Sequence, residues 1–334
     1  MRILHVVPGL DEVGNGISVA AKLIANEQGA DLVEARLFAS GKCDASQYDE
    51  VWVHSAWSPL VLRSCRRVLK LGKRLVRMAH ANYDPVRLRY HGWKKTLAGP
   101  IERFFLRRAK TLVATCEAEK GWIESYLGRR CPPIELTDIK RFFNLNPVNP
   151  VNPVKKDLHL LYLGRRHPLK GLSYLETALA TYYNKWSSAP SSLAPTTACA
   201  DNPSSNPSRK AATYYNKCPI EFRVVSDAFG DELERVWDWC DVLVLPTLSE
   251  NFGLVIAEAL ERGKCVITTD GAPAWGDNLS RVERVDGGMW SGYGGRLIYL
   301  KGYRDGTPED RVRLLKSAIE NLLSRASLTP PAAK

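Results

Sequence analysis

Short apolar runs alternate with amphipathic stretches along the first half of the chain. The runs are typical of β-strands, whereas the stretches between them repeat their apolar residues at the spacing of a helix. The predicted strands are residues 2–7, 33–38, 50–54, 73–78 and 111–114, and the helices between them include residues 17–27, 59–71 and 100–108. Strands that alternate with helices predict a parallel sheet with helices on both faces.

The alternation resumes in the second half. Its predicted strands are residues 158–163, 220–225, 242–246 and 265–269, and its predicted helices are residues 172–180, 231–239, 254–262 and 308–324. A chain of 334 residues is longer than one hydrophobic core usually serves. The pattern therefore predicts an α/β protein with two doubly wound parallel-sheet domains in series.

Two segments interrupt this pattern. Residues 146–154 read N-P-V three times, and proline at every third position gives an extended, semi-rigid spacer. Residues 185–210 are rich in Ser, Pro, Ala and Thr, a composition that buries too little apolar surface to order the segment. We therefore predict an amino-terminal domain at 1–145, a linker at 146–156, a carboxy-terminal domain at 157–307 with a disordered insertion at 185–210, and a final helix at 308–326.

Positive charge is concentrated in one part of the chain. The net charge is +11, and residues 60–142 contain twenty Lys and Arg against seven Asp and Glu. Such an excess favours a polyanionic partner, with a nucleic acid, an anionic bilayer and a phosphorylated substrate as the three candidates. A solvated basic face without a partner is the alternative.

The sequence indicates neither export nor membrane insertion. No apolar run reaches the roughly 18 residues of a spanning helix, and the apolar start is too short for a signal peptide. None of the eight cysteines forms a C-x-x-C pair, so zinc ribbons and thioredoxin-like sites have no support. We therefore expect reduced thiols and a cytoplasmic protein.

The most informative stretch is residues 242–270, where an apolar strand runs into a loop and the loop into a helix. Ligands of open α/β sheets bind outside the carboxyl ends of the strands, where this loop lies. The amides at the helix start, those of Gly253, Leu254 and Val255, are predicted to bind an anion. Glu250 and Glu258 place carboxylates beside that site, where they can accept from sugar hydroxyls. For Glu258, stabilisation of the helix dipole is the alternative.

The segment 249–260, S-E-N-F-G-L-V-I-A-E-A-L, resembles the E-x7-E motif of retaining GT-B glycosyltransferases of family 4. It is similar above all to bacterial members that act on envelope polysaccharide and lipopolysaccharide. The resemblance implies two Rossmann-like domains facing a central cleft and a nucleotide-sugar donor that is a substrate, with no cofactor. It implies that Glu250 binds the donor sugar and Glu258 the ribose. The phosphates then lie against the amides of Gly253, Leu254 and Val255, and Asn251 and Phe252 in the same segment are expected to bind the donor as well.

A second part of the resemblance lies in residues 160–171. L-L-Y-L-G-R ends a predicted strand, and Lys170 and Gly171 open the next helix. In the family an Arg and a Lys in this arrangement face the donor diphosphate, which implies that role for Arg165 and Lys170. Arg166 is adjacent and competes with Arg165 for it. Cations held there stabilise the charge of the leaving group.

The amino-terminal half resembles the family more loosely. Gly14 and Gly16 follow the first strand, where the family has a glycine-rich loop near the donor phosphates. His80 follows the strand at 73–78, where the family often has a histidine that contacts the donor sugar, and His54 is its rival. The segment 135–138, E-L-T-D, departs from the family's Asn-Gly-Val-Asp-like segment near the domain end.

Two other functions compete with glycosyl transfer. A nicotinamide-dependent oxidoreductase needs G-x-G-x-x-G after the first strand, and residues 14–19 lack the third glycine. A nucleic-acid-binding protein would use the basic region at 60–142, but the chain contains no module signature of that class. We expect a glycan or glycolipid acceptor and no nucleic acid.

The basic and aromatic segment 90–95 suits the surface of an anionic bilayer, which predicts peripheral association with the inner face of the cytoplasmic membrane. The chain has no D-x-D sequence, the metal-binding motif of the other major glycosyltransferase fold. We therefore predict metal-independent transfer.

Overall fold

The computed structural model describes residues 1–10, 12, 15–90, 92–145, 158–186, 220–276, 284–285, 289–293 and 296–328. The predicted linker at 146–156 lies outside the described residues, and so does Gly14. Most of the predicted insertion also lies outside them. Its first two residues, 185 and 186, are the end of a helix.

The amino-terminal domain contains six strands and six α-helices. In chain order they are β1 Ile3–Val7, α1 Gly16–Gln28, β2 Asp31–Glu34, α2 Ala35–Ala39, β3 Glu50–His54, α3 Pro59–Lys70, β4 Arg74–Met78, α4 Pro85–Arg89, α5 Gly92–Leu106, β5 Thr111–Ala114, α6 Glu117–Leu127 and β6 Ile134–Leu136. The strands form one parallel sheet in the order β2-β1-β3-β4-β5-β6. A 3₁₀ turn, Ile139–Phe142, follows β6.

The carboxy-terminal domain has a seven-stranded sheet. Its elements are β7 Leu158–Leu163, α7 Leu172–Trp186, β8 Ile220–Val225, α8 Asp231–Trp239, β9 Val242–Leu245, α9 Leu254–Glu261, β10 Cys265–Thr269, β11 Arg284–Val285, β12 Met289–Gly292, β13 Leu297–Leu300 and α10 Pro308–Leu328. The order is β11-β12-β13-β10-β9-β7-β8. The five strands from β13 to β8 are parallel, and β11 and β12 pair antiparallel at one edge.

The order of the parallel strands in each sheet reverses once, between β1 and β3 in the first and between β7 and β9 in the second. At such a point the loops after two neighbouring strands turn away to opposite faces of the sheet and leave a crevice. The carboxyl ends of both sheets meet at the domain interface, where Phe143 stacks on Phe252 with ring centroids 6.2 Å apart. An apolar cluster continues through this interface, since Met78 and Ile139 belong to the same buried group as Trp275.

Most predicted elements are confirmed, and those at residues 50–54, 111–114, 158–163, 220–225 and 231–239 have the predicted bounds. The strand predicted at 33–38 is wrong, because β2 ends at Glu34 and α2 follows it. A strand would bury alternate residues, whereas Ala35 and Phe38 are buried and Leu37 is 42% exposed, which is helical spacing. Helix α5 also begins eight residues before the predicted residue 100, so Pro100 lies in its interior.

The sequence prediction omitted the short helix α4, helix α6, strand β6 and the three strands β11, β12 and β13. In the parts of the chain that the structure describes, no helix combines the length and the apolar character needed to cross a bilayer. No disulfide joins any of the six cysteines among those residues.

Candidate active site between the domains

Two loops of the carboxy-terminal domain meet at the crevice between β7 and β9. The first carries Lys170 and Gly171, and the second runs from Pro246 to Gly253. Gly171 has φ of +68°, and a Cβ there would lie 1.9 Å from the carbonyl oxygen of Pro246, so only glycine allows this approach. The amide of Leu248 and the hydroxyl of Thr247 donate to the carbonyl of Leu169 at 2.8 and 3.0 Å. The sequence around Gly171 thus fixes Lys170 beside the second loop.

Glu250 lies at the centre of this arrangement. Its carboxylate forms an ion pair with the Lys170 ammonium group and accepts a hydrogen bond from the backbone amide of Asn251 at 3.1 Å. It also lies 3.9 Å from the Arg87 guanidinium group. The Glu250 amide donates to the carbonyl of Gly271 at 2.7 Å, which holds the loop against the end of β10. The carboxylate therefore faces the amino-terminal domain from a position fixed on both sides.

Lys170 and Arg87 lie beside this carboxylate, and Arg165 is close enough to both to affect their pKa values. Burial, followed by the nearby charges of Arg87 and Arg165, lowers the pKa of Lys170 to about 7, even though its ammonium group contacts Glu250. Burial also lowers the pKa of Arg87, and Arg165 adds to that effect. Arg166 lies elsewhere, 3.6 Å from Glu176 on α7. The geometry therefore favours Arg165 over Arg166 as the arginine of the site.

The amino terminus of α9 points into the same crevice. Gly253 caps the helix with φ of +69°, a left-handed conformation that favours glycine, and no side chain satisfies the first amides. The amide of Ile256 bonds back to the Gly253 carbonyl at 2.8 Å, whereas those of Leu254 and Val255 lie in the unpaired first turn. An anion placed there would meet donor groups and the positive end of the helix dipole.

Phe252, the residue before this cap, is buried, and its carbonyl accepts from the indole nitrogen of Trp275. It serves to fix the loop, and its backbone rather than its ring belongs to the anion site. Leu254 lies across the cleft from Gly16, where a Cβ atom would be 3.7 Å from the Leu254 side chain. The predicted residues Gly16 and Leu254 are therefore brought together from opposite domains.

Glu258 lies one turn further along α9 and is partly buried. Burial raises its pKa, Arg262 lowers it, and Glu261 and Glu234 raise it. Arg262 forms its ion pair with Glu234 on α8 at 2.8 Å, not with Glu258. The Glu258 carboxylate is therefore not part of that ion pair. It lies on the helix whose amino terminus forms the candidate anion site.

The loop after β1 faces this site from the amino-terminal domain. Asn15 caps α1 by accepting from the Ile17 amide at 3.1 Å, and Glu34, at the end of β2, accepts from the amides of Gly9 and Leu10 at 3.1 and 2.6 Å. These contacts fix the two ends of the loop around Gly14, the predicted residue that the structure does not describe. The amino terminus of α1 is thereby aimed at the cleft.

His80 follows β4, as predicted, and lies in the domain interface at 3% exposure. It adopts φ of +56° and Ala81 adopts +58°, so the backbone is held in a conformation that side chains rarely adopt. Glu119 supports this turn by accepting from the Ala81 amide. Both ring nitrogens are engaged, Nε2 with His54 at 2.9 Å and Nδ1 with the Asn251 amide group at 3.4 Å. A sugar hydroxyl would reach a ring nitrogen only in exchange for one of these contacts.

Sequence reasoning missed the residues that join the domains. Asp84 caps α4, is fully buried, and accepts from the hydroxyl of Ser249 while it pairs with Arg304. Arg87, one turn further along α4, donates to Ser249 Oγ at 3.0 Å and to its carbonyl at 3.3 Å. Asp-Pro before a helix signals a cap, but nothing in the sequence shows that the cap faces residues more than 160 positions away.

Two sequence families match the chain. The family described as glycosyl transferase 4-like domain matches residues 7–137, and the family described as glycosyl transferases group 1 matches residues 157–283. Together they cover more than three-quarters of the chain, one on each domain. No curated protein matches the sequence at a significant level.

Solved structures of low sequence identity share the fold. HepE from Anabaena in complex with UDP and glucose has a TM-score of 0.55 at 14% identity, covering 98% of this chain and 93% of HepE. Sucrose-phosphate synthase from Thermosynechococcus elongatus has a TM-score of 0.57 at 12% identity, covering 98% and 94%. A structure described as trehalose-6-phosphate from E. coli bound with UDP-2-fluoro glucose has a TM-score of 0.56 at 12% identity, covering 98% and 94%. The chain is a glycosyltransferase of the GT-B fold, with a glycosyl transferase 4-like domain facing a group 1 domain.

Proposed function

We propose that the chain is a retaining, metal-independent glycosyltransferase of family 4 that moves a sugar from a nucleotide-sugar donor to a glycan or glycolipid acceptor. One observation carries the proposal: Lys170 pairs with Glu250 in the cleft between the domains, close to the Gly253 cap of α9, and Arg165 lies near enough to Lys170 to lower its pKa. Together these groups suit a diphosphate beside a carboxylate that can accept from sugar hydroxyls. Neighbours of the same fold bound to UDP and glucose, or to UDP-2-fluoro glucose, support a nucleotide-sugar donor.

The donor would lie with its diphosphate against the amides of Leu254 and Val255 and between the side chains of Lys170 and Arg165. When the bond from the sugar to the diphosphate breaks, negative charge grows on the leaving oxygen. Fixed cations and helix amides stabilise that charge without reorganising, and each such group contributes on the order of 10²–10³ in rate. The chain's own cations would do here what a divalent metal does in other transferases.

Glu250 would hold the sugar hydroxyls close to the reacting carbon. A carboxylate only accepts hydrogen bonds, and it binds hydroxyl donors well when its position is fixed, as the Gly271 contact fixes it here. Lys170, now paired with Glu250, would turn to the diphosphate when the donor enters. Glu258, further along α9, would hold the ribose.

The acceptor would approach from the amino-terminal domain and the membrane. Helix α5 carries an apolar stripe of residues 46–72% exposed, spaced as one helical face: Trp93, Leu97, Ile101 and Phe104. Exposed Lys94, Arg107 and Arg108 lie on the same helix and just after it. On the inner face, Glu102 forms a buried ion pair with Arg77 at 2.7 Å, which fixes the helix on the domain. Apolar and basic groups together suit an anionic bilayer, which supports a glycolipid acceptor.

Association with a bilayer favours a role for the enzyme in the synthesis of cell-envelope polysaccharide or lipopolysaccharide at the inner face of the cytoplasmic membrane. The motif around Glu250 favours the same role. A screen of UDP-, GDP- and ADP-sugars for release of the nucleoside diphosphate tests the proposal, with a lipid extract as the acceptor source. We expect release from one nucleotide class, stimulated by the extract and unchanged by a chelator. Absence of release from every donor, or release that stops with the chelator, would contradict it.

A further inference from the structure

Three histidines form one hydrogen-bonded row through the amino-terminal domain. His5 lies on β1, His54 on the adjacent β3, and His80 just after β4. His5 Nδ1 lies 2.9 Å from His54 Nε2, and His54 Nδ1 lies 2.9 Å from His80 Nε2. All three side chains are buried. The row thus runs across three neighbouring strands inside the protein.

The two ends of the row are side-chain amides in different environments. At one end His5 Nε2 lies 2.8 Å from Gln28 Oε1, and Gln28 is an exposed residue at the carboxyl end of α1. At the other end His80 Nδ1 lies 3.4 Å from the amide nitrogen of Asn251, in the loop that carries Glu250. All six ring nitrogens are therefore engaged, and the row connects the protein surface to the proposed donor site.

A row of neutral imidazoles has a direction. Burial lowers the pKa of His5 to about 4 and that of His80 to about 3, and it holds the pKa of His54 well below its usual range. Each neutral ring has one N–H donor and one acceptor nitrogen, so every contact between two rings needs one of each. Once the group at one end is fixed as donor or acceptor, the tautomers of all three rings follow.

The contacts in the structure select one direction. Gln28 presents its oxygen, so His5 donates from Nε2, His54 donates from Nε2 to His5, and His80 donates from Nε2 to His54. His80 Nδ1 is then an acceptor for the Asn251 amide group. The Thr115 hydroxyl, 2.8 Å from Asn251 Oδ1, supports this orientation of the amide. The same hydroxyl lies 2.8 Å from Glu119 Oε2, and burial raises the pKa of Glu119.

We propose that this row is a positioning device, in which His5 and His54 set the tautomer of His80 and so the orientation of the Asn251 amide in the donor-binding loop. His5 and His54 are positioning residues, because they reach the loop only through His80. This inference rests on the proposed function, which makes the loop that contains Asn251 part of the donor site. Packing alone does not explain the row, because apolar side chains fill a sheet core without needing partners for six buried nitrogens.

The same small chemical change at opposite ends should have opposite effects. A carboxylate only accepts, so Gln28→Glu should lock all three rings as Nε2–H tautomers. Asn251→Asp should make His80 donate from Nδ1 and turn all three rings into Nδ1–H tautomers. Asn26→Asp is the matched control, since Asn26 is an exposed residue on α1 outside the row. The three rings of the row are predicted to change tautomer together, so their signals need not be assigned to individual members of the row.

Long-range ¹H–¹⁵N correlation spectra of the full chain, labelled in its histidine rings, report the tautomers. Among the six histidines of the chain, we expect the three rings of the row in the Nε2–H form in the wild type, Gln28→Glu and Asn26→Asp, and the same three in the Nδ1–H form in Asn251→Asp. A row in which Asn251→Asp changes one ring or none would overturn the proposal. The spectra need no substrate, so this outcome is separate from success or failure of the proposed glycosyl transfer.

The double variant gives a second test. With a carboxylate at each end, three neutral rings supply three N–H protons to four contacts, so one contact must lose its proton donor. We expect the melting temperature of Gln28→Glu/Asn251→Asp to fall by a few degrees more than the sum of the two single changes. Strict additivity between these distant positions would contradict a connected row.

Discussion

The Lys170 ammonium group and the Glu250 carboxylate form an ion pair although 80 residues separate them in the sequence. Lys170 reaches this position because Gly171 lets its loop approach Pro246 closely. In the proposed function the pair joins the two chemical requirements of sugar transfer from a nucleotide, a cation for the diphosphate and a carboxylate for the sugar.

The lowered pKa of Lys170 predicts that donor binding takes up a proton. While Lys170 is paired with Glu250 its pKa is about 7, so at about pH 8 the amine is mostly neutral. A diphosphate beside it favours the charged form and raises the pKa. Calorimetric titration of UDP in buffers of different ionisation enthalpy should show uptake approaching one proton at about pH 8 and much less at about pH 6. Lys170→Met should abolish the difference, and uptake that persists in this variant would assign the proton to another group.

The two acids of the motif should differ in their kinetic effects. Glu250 would contact hydroxyls of a sugar that gains cationic character in the transition state, whereas Glu258 would bind the ribose equally before and during the reaction. Binding shared by ground and transition state affects KM, and binding gained in the transition state affects kcat. Glu250→Gln should therefore mainly lower kcat, and Glu258→Gln should mainly raise the donor KM. Steady-state kinetics that show the reverse order would contradict these roles.

The apolar stripe of α5 should be needed for binding to membranes. Replacing Leu97 and Ile101 by Glu removes two exposed apolar side chains, each worth about 1.5–3 kcal/mol when fully buried. We expect at least tenfold weaker binding to vesicles that contain phosphatidylglycerol, measured by flotation. Leu37→Glu is the control, an exposed leucine on α2 that is not part of the stripe. Equally weakened vesicle binding in the control, or unchanged binding in the double variant, would contradict membrane association through this stripe.

Much of the fold could be predicted because its strands and helices have clear hydrophobic periods. Strand β3 and helix α8 matched to the residue, and the loop that leads to Glu250 was predicted to lie at the carboxyl end of a strand. The strand predicted at residues 33–38 was wrong because its apolar residues suit either the period of a strand or that of a helix. The burial of Ala35 and Phe38 decides between the two only in the folded chain.

The candidate site was predicted only in part. Local sequence signals indicate Glu250 and the start of α9, since both follow a strand at a turn, whereas Lys170 is indicated by the resemblance to the family. Asp84, Arg87, Ser249 and Arg304 have no local signal, because their roles depend on how the two domains meet. The sequence leaves His54 and His80 as alternatives for the histidine that contacts the donor sugar, whereas the structure shows them as neighbours in one row.

The stereochemistry of the product tests the proposed family. The motif formed by Glu250 and Glu258 is typical of retaining transferases, so an α-linked nucleotide sugar should give an α-linked product. The proton coupling constant at the anomeric carbon of the isolated product reports this directly. A β-linked product would show inversion and would place the chain outside the retaining class.

The central claim is that a nucleotide sugar binds between the domains, against Lys170 and Arg165, and reacts there. The most direct measurement is the rate of nucleoside diphosphate release from the donor found by screening, compared between the wild type and three alanine variants. Lys170→Ala and Arg165→Ala should each lower turnover by about 10²-fold or more while the melting temperature stays close to that of the wild type. Arg166→Ala, the matched control whose side chain pairs with Glu176, should retain wild-type turnover. Wild-type turnover in both Lys170→Ala and Arg165→Ala would contradict the account.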